Sequence, residues 1–207
     1  MASLNHPILV QSFAVIDREI GSHPFTPAEY AIVRRVIHST ADFEFKDLIV
    51  FSEGAIASGL QAIQNGCPIV TDVGMVKQGI QSLMAKTFGN PIIAAVEQAQ
   101  DALPGKTRTE TGLLHCWDQY PNAVYVIGNA PTALIALCDQ MESSEHYPPL
   151  VVGVPVGFIA VVESKQRLAQ VAVPQIRIQG RKGGSAVAAG IVNALTLLAW
   201  DGLESGE

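Results

Sequence analysis

His38 ends the run Arg34-Arg35-Val36-Ile37-His38 and is followed by Ser39-Thr40-Ala41-Asp42-Phe43. An imidazole at the close of an apolar helical stretch, with two guanidinium groups one turn earlier, is placed to give a proton to an anionic ligand. A lone histidine at a helix end is more often a cap than a catalyst, so the rest of the chain must decide between the two roles.

Other candidates lie where apolar runs break. Gly180-Arg181-Lys182-Gly183-Gly184-Ser185 combines glycines that permit close backbone approach with two cations, ahead of an Ala-rich helix. It suits an anion, with Lys182, Gly183 and Gly184 as contacts, or it is a tight turn capped by Ser185. The spacing is not that of a phosphate-binding P-loop. Gly128-Asn129-Ala130-Pro131-Thr132 has the same strand–loop–helix form. There Asn129 is a pocket contact or a turn former, and Gly-x-Gly-x-x-Gly is absent. Asp72, in Thr71-Asp72-Val73-Gly74, orients a ligand donor or caps the next helix. Arg108, between Thr107 and Thr109, is an anion contact or an exposed residue beside a helix cap. His6, His23, His115 and His146 have no metal-ligand spacing, and no serine stands in a nucleophile elbow, so neither a metal site nor a catalytic triad is expected.

The elements that must position these residues follow from pattern. Leu9, Phe13, Ile16 and Ile20 recur at helical spacing before a Gly21 stop, with Ser12 and Asp17 off the apolar stripe. Thr26, Pro27 and Glu29 form a helix start with a capping box, and Phe25 can staple onto Tyr30. Tyr30, Val33 and Ile37 then give the buried stripe, which puts His38 in the last turn. Short Val/Ile-rich runs at 47–51, 68–73, 91–96, 123–127, 150–154 and 175–179 alternate with helical stretches, among them 53–65 and 132–141. Continuous apolar strands separated by helices imply an α/β fold, a three-layer α/β/α domain with a mostly parallel sheet of five or six strands. Ligands of such sheets sit outside the carboxyl ends of the strands. A single domain over 1–207 is expected, with a helical segment at 1–45, the α/β core at 46–200 and a frayed tail at 201–207.

Composition narrows the function classes. The 207 residues are 48% hydrophobic and 15% charged, which excludes a disordered chain. The net charge of −6 and the absence of a basic stripe argue against nucleic acid. No uninterrupted apolar run of bilayer length and no secretory signal are evident, so no membrane partner and a cytoplasmic location are expected. Cys67, Cys116 and Cys138 are odd in number and lack ligand spacing, so reduced buried thiols are expected.

Seven segments stand in order along the chain: His6-Pro7-Ile8 with Ser12-Phe13; Arg35 to Phe43; Thr71-Asp72-Val73 with Met75-Val76; Thr107-Arg108; Ile127 to Leu134; Gly153 to Phe158 with Glu163-Ser164-Lys165; and Gly180 to Ala186. In that joint order they resemble the precorrin-8X methylmutase family of cobalamin biosynthesis. The resemblance implies a 1,5-sigmatropic shift of a methyl group from carbon 11 to carbon 12 of a contracted tetrapyrrole, precorrin-8X or cobalt-precorrin-8. The product is hydrogenobyrinate or cobyrinate, with no redox cofactor and no methyl donor. It also implies that His38 is catalytic, that Ser12, Arg35 and Arg108 contact the substrate, and that the protein is a homodimer with its site near the interface. A pericyclic shift needs a shaped apolar pocket, a proton donor and anion contacts for peripheral carboxylates, which agrees with the residues above. Gly74 and Thr109-Glu110 depart from the family pattern, and Glu110 is close enough in sequence to pair with Arg108. The competing classes are a non-catalytic corrinoid carrier and a nucleotide or sugar-phosphate enzyme using the glycine loops.

Overall fold

The computed structural model describes residues 6–205. In chain order the elements are α1 (Pro7–Glu19), α2 (Pro27–Thr40), α3 (Phe45–Leu48), β1 (Ile49–Phe51), α4 (Ala55–Gln64), β2 (Ile69–Thr71), α5 (Gly74–Lys86) and β3 (Ile92–Ala94). A 3-10 turn at Ala95–Glu97 follows, then α6 (Arg108–Gln119), β4 (Val124–Ile127), α7 (Pro131–Glu142), β5 (Val151–Gly153), α8 (Val161–Leu168), β6 (Gln175–Ile178) and α9 (Ser185–Ser205).

The six strands form one sheet in the order β1-β6-β5-β4-β2-β3. Five run parallel, and β1 pairs antiparallel with β6 through Ile49–Ile178, Val50–Arg177 and Phe51–Ile176. The fold is therefore α/β with a mostly parallel sheet. Alternation along a strand feeds two cores. Val124 and Val126 of β4 face the core beneath α1, α2, α4, α5 and α9, while Tyr125 and Ile127 face the one beneath α6, α7 and α8. Both faces of the sheet are covered, which is why its strands are largely apolar, with Gln175 and Arg177 of β6 as exceptions near the antiparallel edge.

The antiparallel edge strand was not legible in the sequence. Because β1 runs against β6, it begins at the edge where the parallel strands end and finishes where they start. The Gln179 N–H donates to the Leu48 carbonyl at the first edge, and the Ser52 N–H donates to the Gln175 carbonyl at the other. From there α4 crosses at the strands' amino ends, with Ser58 Oγ donating to the Pro149 carbonyl (2.6 Å) and Gly59 packed on Leu150.

Helix α2 starts as its sequence requires. Thr26 Oγ1 accepts from the Glu29 N–H (3.3 Å), and the Glu29 carboxylate accepts from the Thr26 N–H (2.8 Å). Where Phe25 was expected to staple onto Tyr30, the ring contacts run through His23, which stacks on Tyr30 at 4.2 Å and tilts against Phe25 at 5.5 Å. Ile32, Val33, Val36 and Ile37 are buried, each contributing about 1.5–3 kcal/mol. Ala41 closes the helix in the left-handed conformation at φ 53°.

Helix α8 was missed for a visible reason. Its buried positions are Val161, Ser164, Lys165 and Leu168. The spacing is helical, but a serine and a lysine fill the two central places and hide the periodicity. Helix α9 continues to Ser205, into the segment expected to fray; residues 206 and 207 lie outside the described residues. Helix α9 is long and apolar enough to cross a bilayer by length and composition, with a mean hydropathy of 1.5 over its best window. It instead packs against α2, α4 and α5, with its residues from Val187 to Ala199 supplying much of the core on that face of the sheet.

Helices α2 and α9 approach closely at Gly190, where an added Cβ would lie 3.2 Å from Ser39 Oγ and 3.6 Å from the Arg35 carbonyl oxygen. Gly190→Leu should push α2 away and lower unfolding free energy by about 1–3 kcal/mol, as read by urea denaturation.

Candidate active site

His38 stands exposed in the last turn of α2, at the edge where the parallel strands end. Its ring meets Phe13 edge-on at 5.7 Å. Among the described residues it makes no hydrogen bond and no ion pair, so neither ring nitrogen is committed to the fold. It lines an open cleft of about 390 Å³ together with Ser12, Val15, Ile16, Glu19, Ile37, Ala41 and Phe43. The walls from Val15, Ile16, Ile37 and Phe43 are apolar, and the polar groups are the imidazole, the Ser12 hydroxyl and Glu19.

The two arginines beside His38 turn elsewhere. Arg34 pairs with Asp17 at 3.1 Å and lies over the Phe13 ring at 4.3 Å. Asp17 also accepts from the Tyr30 hydroxyl, and burial followed by this bond pushes the Tyr30 phenol up to about 12. Arg35 sits on the α9 side of α2, in a recess with Leu9, Lys86 and Asn193. Burial and the charge of Arg34 lower its pKa. The structure thus brings Ser12 to His38 but places Arg35 outside that cleft.

The loops at the strand ends are held by two buried charges. Asp72 is fully buried, and its carboxylate accepts the N–H of Val73 (2.9 Å), Gly128 (3.1 Å), Asn129 (2.6 Å) and Ala130 (2.7 Å). Burial pushes its pKa up, and the four amides oppose that by favouring the carboxylate. Its side chain is spent on ordering the 128–130 loop, which leaves Asn129 exposed at the edge. Lys165, 2% exposed, donates to the carbonyls of Gly180 (2.9 Å) and Lys182 (2.6 Å).

The cations divide into bound and available ones. Lys182 bridges to Asp42 (2.5 Å) and Glu44 (2.7 Å), tying the glycine loop to the segment just after α2. Its hydrogen bond holds the Asp42 carboxyl below the ordinary range, and the two carboxylates raise the Lys182 pKa. Gly183, at φ 150°, has no room for a side chain, since a Cβ would meet the Val154 carbonyl oxygen at 2.3 Å. The Gly184 N–H donates to that same carbonyl. Lys182, Gly183 and Gly184 therefore shape the loop. Its available cation is Arg181, exposed with its guanidinium 5.7 Å from the Phe158 ring. The sequence had grouped Arg181 with Lys182, and only the partners tell them apart.

Arg108 is exposed in the first turn of α6, and among the described residues it makes no ion pair. Glu110 does not pair with it. Glu110 bonds Lys106 at 2.6 Å and completes a capping box with Thr107. Thr107 and Thr132 hydroxyls, 3.2 Å apart, join the starts of α6 and α7. No group of three or more metal-binding side chains occurs among the described residues.

The family model for precorrin-8X methylmutase matches residues 7–198. The chain belongs to the precorrin-8X methylmutase family. It is 54% identical to the cobalt-precorrin-8 methylmutase of Synechocystis sp., over 97% of this chain and 99% of that one. It is 37% identical to the precorrin-8X methylmutase of Pseudomonas aeruginosa, over 89% and 91% of the two chains. The crystal structure of precorrin-8x methyl mutase from Thermus thermophilus superposes with a TM-score of 0.86 at 40% identity, covering 95% of this chain and 99% of that one. The chain is accordingly an isomerase that transfers a methyl group within its substrate, a tetrapyrrole-derived intermediate of cobalamin biosynthesis.

Lys182→Met removes the link between the glycine loop and residues 42–44. Amide exchange over 38–45 should rise and kcat/KM should fall by roughly tenfold, equivalent to losing about 1.4 kcal/mol. Because Asp42 is shifted downward, the link persists above the ordinary carboxylate range near pH 3.8 and is lost as pH falls through the depressed value. Protection factors at these wild-type amides, which remove the intrinsic pH dependence of exchange, should fall in acid accordingly.

Proposed function

We propose that the chain catalyses the 1,5-sigmatropic shift of a methyl group from carbon 11 to carbon 12 of cobalt-precorrin-8, giving cobyrinate, with His38 as general acid. The observation that carries this reading is the uncommitted His38 imidazole at the lip of an apolar cleft shared with Ser12. The cobalt-containing substrate follows the relative at 54% identity, which is named for it.

The cleft takes one edge of the macrocycle, and apolar walls strip water from it. A proton given by His38 to a ring nitrogen draws electron density inward and weakens the hold of carbon 11 on its methyl group. The shift is intramolecular, so the protein needs only to position, polarise and exclude water. Ser12 is within the same cleft to accept or donate a hydrogen bond at the ring. Arg108, Asn129 and Arg181 face solvent at the strand ends, where they meet the peripheral carboxylates; arginine–carboxylate pairs are the strongest and most directional of such contacts. Asp72, Lys182, Gly183 and Gly184 serve this site by setting the loops, and Arg35 acts from outside the cleft.

A second copy of the chain closes the site in this reading. Phe158 and Ile159 are 82% and 83% exposed on the loop after β5, and Met75 is 73% exposed at the start of α5. Three large apolar side chains left in water around one edge are suited to burial against a partner surface. Light scattering should report a dimer.

His38→Ala should keep the fold and bind the coloured product, while kcat falls by about 10²–10⁴-fold, the usual contribution of general acid catalysis. The assay is spectral conversion of cobalt-precorrin-8 by substoichiometric protein. Unchanged kcat in this variant would remove His38 as the proton donor. Equal kcat/KM for metal-free precorrin-8X would remove the cobalt preference.

A further inference from the structure

Lys165 is the one buried lysine among the described residues, and no carboxylate neutralises it. Its two hydrogen-bond acceptors are main-chain carbonyls of the glycine loop. Charged groups on the neighbouring elements have other partners or the same sign. Asp139 and Glu142 of α7 hold Arg167, and Asp42 and Glu44 hold Lys182. Arg177 on β6 and Arg181 in the loop are cationic, and Glu163 is exposed on α8 itself. The loop at 154–160 contains no titratable residue. An unpaired buried ammonium is costly and is not placed there for stability.

Its effect on the loop is geometric. In a trans peptide the N–H points opposite the carbonyl. Turning the Gly180 and Lys182 carbonyls inward to Lys165 therefore turns the Arg181 and Gly183 N–H groups outward. Neither N–H has an acceptor among the described residues, and Arg181 itself is exposed, with its guanidinium 5.7 Å from the Phe158 ring. The opposite wall is fixed by Gly183 against the Val154 carbonyl, so the loop has little other freedom.

We propose that Lys165 is a positioning residue for substrate binding, whose ammonium clamps the Gly180 and Lys182 carbonyls and so aims Arg181 and the outward N–H groups at the acid side chains of the tetrapyrrole. The proposal rests on the tetrapyrrole binding at this edge. Burial pulls the Lys165 pKa from 10.5 down to about 8. On deprotonation its charge-assisted bonds become neutral ones about half as strong, and the loop relaxes within an ordinary assay range. The buried thiols do not share that range, since burial pushes Cys116 up to about 11 and Cys138 up to about 12.

Stability moves the other way. Between about 8 and 10.5 the unfolded chain holds the lysine proton more tightly than the folded one, so this group's contribution to stability rises with pH. A loss of binding in that window is thus separable from unfolding.

The test measures KM, kcat and thermal midpoint from about pH 6.5 to about pH 9.5, across the Lys165 transition, for wild type, Lys165→Arg and Lys165→Met. In the wild type KM should rise through about pH 8, with kcat changed less and the midpoint not lowered. Lys165→Met loses both charge-assisted bonds and should raise KM by roughly tenfold or more at neutral pH, and its profile should be flat. Lys165→Arg keeps its charge over the whole range, so its KM should also be flat. A flat wild-type KM, or a wild-type rise retained in Lys165→Met, overturns the proposal. Should neither variant fold, the pH dependence of product binding to wild type decides alone: weakening through about pH 8 supports the clamp, and constant affinity overturns it. These readings concern KM and binding, so they stand apart from whether His38→Ala retains turnover.

Discussion

The site depends on the antiparallel pairing of β1 with β6. A parallel β1 would start at the amino ends of the strands and would leave the end of α2 on the wrong side of the domain. Pairing Ile49 with Ile178 and Phe51 with Ile176 reverses it. The segment from His38 to Phe45 then arrives where β2, β4, β5 and β6 end. The glycine loop after β6 and the imidazole come from distant parts of the chain, and this short ladder joins them at one edge. Lys182 locks the junction, reaching Asp42 across 140 residues of sequence.

Two buried charges share a design. Asp72 is met by four main-chain N–H groups, and Lys165 by two main-chain carbonyls. Neither is neutralised by an opposite side chain, so each trades solvation for hydrogen bonds that dictate peptide orientation. Asp72 collects amides and shapes the loop before α7. Lys165 collects carbonyls and shapes the loop before α9. The apolar cleft at His38 lies beyond them, on a helix whose own end is set by a capping box at one terminus and a left-handed residue at the other.

Much of this frame is legible in the residues. Thr26, Pro27 and Glu29 set the start of α2, and the six apolar runs each contain a strand. Those signals are local, since a cap or a period is complete within a few residues. The ends of the strands were less so: 47–51 holds a turn of helix before β1, and 91–96 runs into a 3-10 turn. A Val or Ile is as apolar just outside a ladder as within it. Helix α8 stayed hidden because two polar residues occupy its buried face. Glu110 was close to Arg108 in sequence but bonded to Lys106, because its capping role turns it back toward Thr107.

The sequence by itself determined the family, the α/β class and the candidate set of chemical groups, because ordered motifs and hydrophobic periods are properties of the chain alone. Tertiary structure decided which of those groups remain available. Lys182 and Arg181 are neighbours with the same charge; one is consumed by Asp42 and Glu44, and the other is left facing solvent. Arg35 and His38 share a helix turn, yet only His38 opens onto the Ser12 cleft. Asp72 is turned inward to amides supplied by residues 128–130. Each of these outcomes is a choice of partner across a long stretch of chain, and a partner exists only once the sheet has brought the two segments together.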